Sequence, residues 1–307
     1  MAFLRAFGRH LPADVVDNEA LAARTGKDAS AIEKASGILR RRYAAEGVSV
    51  VDLALAAVHD CFEKARLTAA DIGLILFSSG SGERSFPGPA AAFAARLGLT
   101  STPAIDLPIA SAGSLVGIAF AADMAERYGN ILVVASEIMS RRISDADPDT
   151  AILFGDGAGA CVVSPDTGFA RVLDSGLFTD GNYADSLKLE HGGAIQMKGL
   201  EVIIQASRKI PRAIADLLQR NRLQPVDVDV FLMHQANINL IKKVAAGLKV
   251  PEEKFFCNIA DYGNTSSASL LIAASEWWDS MPLEGPMILA AFGAGFSWGA
   301  VLALPIG

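Results

Sequence analysis

The sequence predicts an α/β protein built from two similar halves, each a mixed sheet covered by helices on both faces. Three observations carry that expectation. A stretch near residue 70 recurs near residue 226; the strand-like runs are rich in Leu, Ile and Val with little polar alternation; and segments of helical period alternate with them.

Taken in order, Val51 to Arg66 has helical period, and Leu67-Thr-Ala-Ala-Asp71-Ile72-Gly-Leu74-Ile75-Leu76 then ends in an apolar run that reads as a buried strand. The pair returns as Leu200 to Asn221 followed by Leu223-Gln-Pro-Val-Asp227-Val228-Asp-Val230-Phe231-Leu232, displaced by 156 residues. Ala90 to Leu99 and Ile241 to Val250 read as matching amphipathic helices. Ile131 to Ser136 and Ile288 to Phe292 read as matching strands at an offset of 157. A nearly constant offset over three elements points to internal duplication. The halves, 1–165 and 166–307, meet at the turn-forming Ser164-Pro165-Asp166-Thr167-Gly168. Under this offset Ser111 falls opposite Ser266 and Ser267. Ligands of such sheets sit beyond strand ends, so the two half-sites are expected to face each other.

Composition narrows the function. A 307-residue chain that is 51% hydrophobic and 20% charged reads as soluble and globular, with more than one small core. Its apolar stretches are interrupted well before 18 residues, so no membrane-spanning helix is expected. The N-terminus lacks a signal-peptide pattern, and a cytoplasmic location is expected. Cys61, Cys161 and Cys257 are odd in number and unpaired in spacing, and read as buried free thiols with no metal site. A net charge of -7 argues against nucleic acid as a partner. Arg40-Arg41-Arg42 reads as a solvated rim, with contact to an anionic phosphopantetheine or carrier protein as the alternative. His10, His59 and His191 have no partner motif and read as surface residues. Trp277-Trp278 reads as core cover.

Three ordered motifs carry the chemistry: Met233-His234-Gln-Ala-Asn237, Tyr262-Gly-Asn264-Thr-Ser266-Ser-Ala-Ser269 and Gly293-Ala294-Gly-Phe296-Ser-Trp298-Gly299. They place an imidazole, an amide and a glycine-rich turn where strands run out, which suits acyl transfer. Together with Phe154-Gly155-Asp156-Gly157-Ala-Gly159-Ala160, Phe86-Pro87 and Leu39-Arg-Arg-Arg42, the chain resembles the β-ketoacyl-acyl-carrier-protein synthase III branch of thiolase-like condensing enzymes. The likeness runs nearly the whole length. Alone, the Gly-Asp-Gly run reads as tight strand packing, because it lacks the lysine and helix of a phosphate loop.

The resemblance implies a duplicated five-layer α/β/α/β/α fold with two mixed sheets, a homodimer, and an acyltransferase of fatty-acid or polyketide-type biosynthesis. It implies no cofactor beyond the substrates, which are acyl-CoA or the phosphopantetheine of acyl-carrier protein. His234 and Asn264 fill the positions that assist decarboxylation of malonyl-acyl-carrier protein. The family's cysteine segment corresponds to Asp106 to Gly117, and Ser111 stands at the nucleophile position. By the same resemblance the N–H groups of Ser111 and Ala294 form the oxyanion hole, and Gly199 and Asn237 contact pantetheine. Phe292 lines the nucleophile's pocket, and Phe86 reaches the acyl pocket of the partner subunit; for both phenylalanines ordinary core packing is the alternative.

Serine changes the chemistry. A thiol near pKa 8.5 is readily shifted to thiolate, whereas a hydroxyl needs a general base, and His234 is the histidine placed to serve. The resulting oxygen ester is a poorer target for a carbon nucleophile, which favours simple acyl transfer over Claisen condensation. Ser111 therefore has three readings: the natural nucleophile of an acyltransferase, an engineered replacement for cysteine, or a residue that takes no covalent part. The donor also departs from the family. Alanines (Ala31, Ala35) stand where a stacking Trp and an Arg hold adenine, and 145–150 is acidic where a further Arg is usual. An acyl-carrier protein, or a CoA thioester held by its pantetheine, is expected. Two rival classes remain at this point: a silent subunit that binds a carrier protein, which has no chemical need of His234 and Asn264, and a hydrolase, for which the Gly-x-Ser-x-Gly elbow is missing.

Overall fold

The computed structural model describes residues 1–306. The first half runs strand β1 (Ala2–His10), helix α1 (Val50–Ala65), β2 (Ile72–Ser78), α2 (Pro89–Arg96), β3 (Ala104–Leu107), α3 (Gly113–Tyr128), β4 (Asn130–Ile138) and β5 (Asp156–Ser164). The second repeats that order with β6 (Ala170–Thr179), α4 (Gly199–Arg220), β7 (Val230–Met233), α5 (Ile238–Leu248), β8 (Phe255–Phe256), α6 (Ala268–Ser280), β9 (Met287–Gly293) and β10 (Ser297–Pro305).

Strand order is β3-β2-β4-β5-β1 in the first half and β8-β7-β9-β10-β6 in the second, the same order twice. In each, the first three strands are parallel and the last two antiparallel. The register also repeats: Ile75 pairs with Leu132 and Phe231 with Ile288, so both strands are displaced by 156. The offset of 157 read for the later strand is thus one residue too large.

The two sheets expected from the family likeness are joined. The outer strands β1 and β6 pair antiparallel through Ala2–Val172, Phe3–Arg171 and Leu4–Ala170, giving one sheet of ten strands. Each of these edges would otherwise present unpaired backbone groups, and mutual pairing satisfies them. The sheet folds around α3 and α6, which lie between the halves. Their residues Gly113–Ala119 and Ala268–Ser275 are buried without a polar face, as a helix enclosed on all sides requires. Gly159 shows how closely α6 approaches β5: a Cβ there would lie 2.4 Å from Leu271 Cβ. This bears out the packing role read for the Gly-Asp-Gly run.

The remaining helices cover the outer faces. Helix α1 starts at a capping box in which the Ser49 hydroxyl accepts from the Asp52 N–H and the Asp52 carboxylate accepts from the Ser49 N–H. Helix α5 starts at Asn237, whose Oδ1 accepts from the Asn239 N–H at 2.8 Å. Residues 139–155 and 180–198, which separate strands of the repeat, come together above the sheet ends; Arg142 O accepts from the Ile195 N–H at 2.7 Å.

Two expectations are corrected. Arg41 is not part of a solvated rim. It is fully buried, and its guanidinium donates to Asn18 Oδ1 and Ile152 O, both at 2.8 Å. The alternation of the ribbon strand Arg40–Tyr43 turns Arg41 inward while Arg40 faces out to Asp261. Cys257 is exposed, whereas Cys61 and Cys161 are buried in the strand and helix core. No helix among the described residues is long and apolar enough to cross a membrane.

Candidate functional site

Ser111 follows β3 and precedes α3; Ser266 precedes α6 in the corresponding place of the second half. Both have left-handed backbones, with φ of 66° and 50°. Non-glycine residues in that region cost on the order of 1–3 kcal/mol each and collect at functional sites. Here the same unusual turn starts each buried helix. The Ser111 N–H donates to Ser266 Oγ at 3.1 Å, linking the halves at their pseudo-dyad.

Ser111, His234, Asn264, Ser266, Phe292 and Ala294 all line one cavity of about 250 Å³. The sequence-expected residues Gly199 and Asn237 line it too, together with the exposed Asp149 and the half-buried Lys188. Phe292 packs edge-on to the His234 ring, with centroids 5.5 Å apart. Asn237 has its polar atoms engaged: besides capping α5, its amide donates to Ala35 O at 2.9 Å.

His234 is almost fully buried, and burial holds its pKa down at about 3, so the ring is neutral at ordinary pH. Its Nδ1 lies 2.5 Å from Ser269 Oγ, which also accepts from the Gln235 N–H at 3.1 Å. In the tautomer in which the Ser269 hydroxyl donates to Nδ1, the remaining ring proton sits on Nε2. Nε2 makes no bond to protein and is not sealed in, so in that tautomer it offers an N–H to the cavity. Asn264 is oriented the same way. Its Oδ1 accepts from the Ser266 N–H at 2.9 Å, leaving Nδ2 as a free donor. Ser111 Oγ is also without a protein partner.

The amide N–H groups expected to form the oxyanion hole are both occupied. That of Ser111 goes to Ser266 Oγ, and that of Ala294 donates to Ala110 O at 3.2 Å. The glycine turn abuts Ser111 closely; a Cβ on Gly293 would lie 1.9 Å from Ala110 O. Behind it, Lys209 Nζ sits 4.5 Å from the Trp298 ring centroid and 5.1 Å from that of Phe296, pinning the turn from outside.

Phe86 does not join this cavity. It is 87% exposed and borders a second cavity of about 850 Å³, which shares Gly80, Ala110, Leu189 and Ala294 with the first. Among the described residues no cluster of His, Cys, Asp or Glu could hold a metal ion. Ser269 and Glu137 escaped sequence reasoning, and Ser266 is placed opposite Ser111 by the repeat without a role of its own. The serines lie inside the quoted Asn264 motif, but only the start of α6 decides which hydroxyl faces what. Glu137 is fully buried at the end of β4 and accepts from Gly80 N–H, Ser81 Oγ and Ser267 Oγ. It carries no motif at all.

A duplicated α/β fold with a serine, a neutral imidazole and an amide converging at the helix heads defines a thiolase-like condensing acyltransferase. Sequence profiles described as 3-oxoacyl-(acyl-carrier-protein) synthase III and its C-terminal part match residues 105–181 and 218–304. The chain is 34% identical to the β-ketoacyl-(acyl-carrier-protein) synthase III of Oleidesulfovibrio alaskensis, covering 98% of each. It is 36% identical to that of Methylococcus capsulatus, covering 96% of each. The crystal structure of the Aquifex aeolicus 3-oxoacyl-(acyl-carrier-protein) synthase III superposes with a TM-score of 0.95 at 30% identity, over 99% of this chain and 100% of that one. A priming β-ketosynthase from a polyketide pathway superposes with a TM-score of 0.92 at 30% identity, over 99% and 96%. The chain belongs to the β-ketoacyl-acyl-carrier-protein synthase III family.

Proposed function

We propose that this chain takes an acyl group from a pantetheine thioester onto Ser111 and passes it to malonyl-acyl-carrier protein or to a simpler acceptor. One observation carries the reading: Ser111 Oγ, His234 Nε2 and Asn264 Nδ2 open onto a single cavity, unbonded to protein. A silent carrier-binding subunit has no use for a serine, an imidazole and an amide on one cavity.

The neutral His234 acts first as a donor. With Nε2 protonated, it and Asn264 Nδ2 stabilise negative charge on a thioester oxygen, which suits the enolate left by malonyl decarboxylation. The base role expected for His234 requires the other tautomer, with Nδ1–H donating to Ser269 Oγ. That exchange keeps the ring neutral, whereas full protonation costs about 5 kcal/mol for a group moved from 6.5 to about 3. Proton transfer from Ser111 therefore proceeds best if it passes on to the leaving thiolate, without a lasting imidazolium. The weak base and the oxygen ester together favour acyl transfer to oxygen, nitrogen or sulfur over carbon–carbon bond formation.

The mouth suits a donor without nucleotide contacts. Arg24 pairs with Asp145 at 2.9 Å and Lys27 with Asp149 at 2.6 Å, so these two cations already have carboxylate partners. Acyl-carrier protein is the favoured donor. The exposed Phe86 fits the expected homodimer, in which it reaches the partner's pocket, and a cytoplasmic setting accords with such partners. The test is mass spectrometry after incubation with acyl-CoA and with acyl-carrier protein. An acyl adduct on the Ser111 peptide supports the proposal; no adduct with any donor overturns it.

A further inference from the structure

Lys209, midway along α4, brings one charge to three elements around the cavity. Its Nζ lies 4.9 Å from the Tyr183 ring centroid, 5.1 Å from that of Phe296 and 4.5 Å from that of Trp298. It pairs with Asp180 at 2.5 Å, with the two side chains only 19% and 26% exposed. An ammonium among ring faces and a carboxylate is held more firmly the less water reaches it. Asp180 and Tyr183 open the segment 180–189, whose Leu187 and Leu189 line the cavity, and α4 lines it through Gly199 and Val202. Phe296 and Trp298 belong to the turn after β9. Segment and turn also meet directly: the Asp180 N–H donates to Phe296 O at 3.1 Å, and the Tyr183 and Phe296 rings lie 5.2 Å apart.

The same stretch of chain touches both halves of the site. Phe292 packs on the His234 ring with centroids 5.5 Å apart, and Gly293 lies against Ala110, the neighbour of Ser111, so closely that a Cβ would come within 1.9 Å of Ala110 O. Phe296 has a left-handed backbone, with φ of 51°. A bulky residue keeps that conformation only where its surroundings fix it, and the box around Lys209 is what surrounds this ring.

We propose that Lys209 is a positioning residue for acyl transfer. Its ammonium locks segment 180–189, α4 and the glycine-rich turn together, and through Phe292 and Gly293 it fixes His234 and Ser111 relative to each other. Lys209 does not itself line the cavity, so it acts only through the turn. The part that concerns Ser111 rests on that residue being acylated; the part that concerns His234 does not. Without the charge, Asp180 loses its cation and the turn its outer clamp, and a shift of about 1 Å in a group remote from the chemistry can cost about 100-fold in rate.

The experiment compares the wild type with Lys209→Met, which keeps the stem without the charge, and Lys209→Arg, which keeps the charge. Two rates are read: acylation of Ser111 by acyl-carrier protein, by rapid-quench mass spectrometry, and decarboxylation of malonyl-acyl-carrier protein, which needs His234 but no acyl-enzyme. A first-order acylation constant does not depend on the fraction folded, so a variant that is merely less stable loses amplitude and keeps its rate. In Lys209→Met both rates are expected to fall about 10- to 100-fold, with KM for the carrier protein changed by less than about twofold. Lys209→Arg should recover most of the loss, because a guanidinium also binds ring faces and carboxylates. Wild-type rate constants in Lys209→Met, or an arginine variant no better than methionine, overturn the proposal. Absence of a wild-type adduct removes the nucleophile reading alone, and the decarboxylation rates then decide the role of Lys209. A wild type that neither acylates nor decarboxylates overturns both.

Discussion

Glu137 Oε1, at the end of β4 in the first half, accepts the hydroxyl proton of Ser267, at the head of α6 in the second half, at 2.6 Å. The carboxylate has no cation partner. It is satisfied by Gly80 N–H at 3.0 Å, by Ser81 Oγ at 2.6 Å and by its place at a helix N-terminus. It thus ties the loop that borders both cavities to the helix that carries the Asn264 and Ser266 turn.

Replacing Glu137 with Ala strands several buried donors at once and is expected to destabilise the fold by about 3–5 kcal/mol. Gln keeps one acceptor oxygen but turns an amide N–H₂ toward the fixed Gly80 N–H, so its cost should fall between that of Ala and zero. Ser267→Ala removes a single hydroxyl, with an expected loss of about 1–2 kcal/mol. Urea unfolding of the three variants gives the ranking; a Glu137→Ala loss no larger than that of Ser267→Ala would contradict the network.

The burial of His234 gives a signed pH dependence. Its unfolded pKa of 6.5 falls to about 3 in the fold, so between those values the unfolded chain binds more protons. The stability this neutral ring contributes is complete above about pH 6.5 and is lost as pH falls toward 3, at about 1.4 kcal/mol per unit through the middle of that window. Urea midpoints of the wild type and His234→Asn, followed from pH 7 to pH 4.5, should converge as the pH drops. The acid limb of kcat/KM should also lack a His234 inflection near 6.5. An inflection there that disappears in His234→Asn would show the ring titrating normally and remove the neutral-donor role.

Much of the fold is legible in the chain because apolar runs and helical periods are local signals. Ile75 and Phe231 announce matching strands, and Leu200 to Asn221 announces its helix to within a residue at each end. The joining of the halves is not legible, since pairing of Ala2 with Val172 depends on two edges meeting in space. Arg41 is hidden for a related reason: three consecutive arginines look alike until the strand alternates them. At the site, His234 and Asn264 announce themselves by motif. The groups that orient them, the Ser266 N–H and the Ser269 hydroxyl, acquire their roles from the turn at φ of 50° and the first residues of α6.

The cysteines offer a check on both packing and chemistry. Burial pushes the Cys61 thiol up to about 12 and that of Cys257 up to about 11 and raises that of Cys161, and of the three only Cys257 is exposed. A thiol reagent such as DTNB should therefore titrate one group in the native protein, more slowly than a free thiol, and three after denaturation. None of the three lines the Ser111 cavity, so alkylation by iodoacetamide should leave acyl transfer unchanged. Rapid inactivation by that reagent would mean that a cysteine takes part after all.

Ser111→Cys tests what the site is built to make. A thiol at the head of α3 ionises far more readily than a hydroxyl and so needs no help from a ring held at about 3. The thioester it forms is also a better electrophile for a carbon nucleophile. His234 Nε2 and Asn264 Nδ2 remain free to hold the enolate of a decarboxylating malonyl thioester. Condensation with malonyl-acyl-carrier protein is therefore expected to rise by at least about tenfold in Ser111→Cys, if those donors supply the usual part of oxyanion stabilisation. Product formation from labelled malonyl-acyl-carrier protein, read alongside acyl transfer to a small thiol, separates the two activities. If the cysteine variant transfers acyl groups but still fails to condense, the cavity does not admit the malonyl group beside the acyl-enzyme, and simple transfer is its whole chemistry.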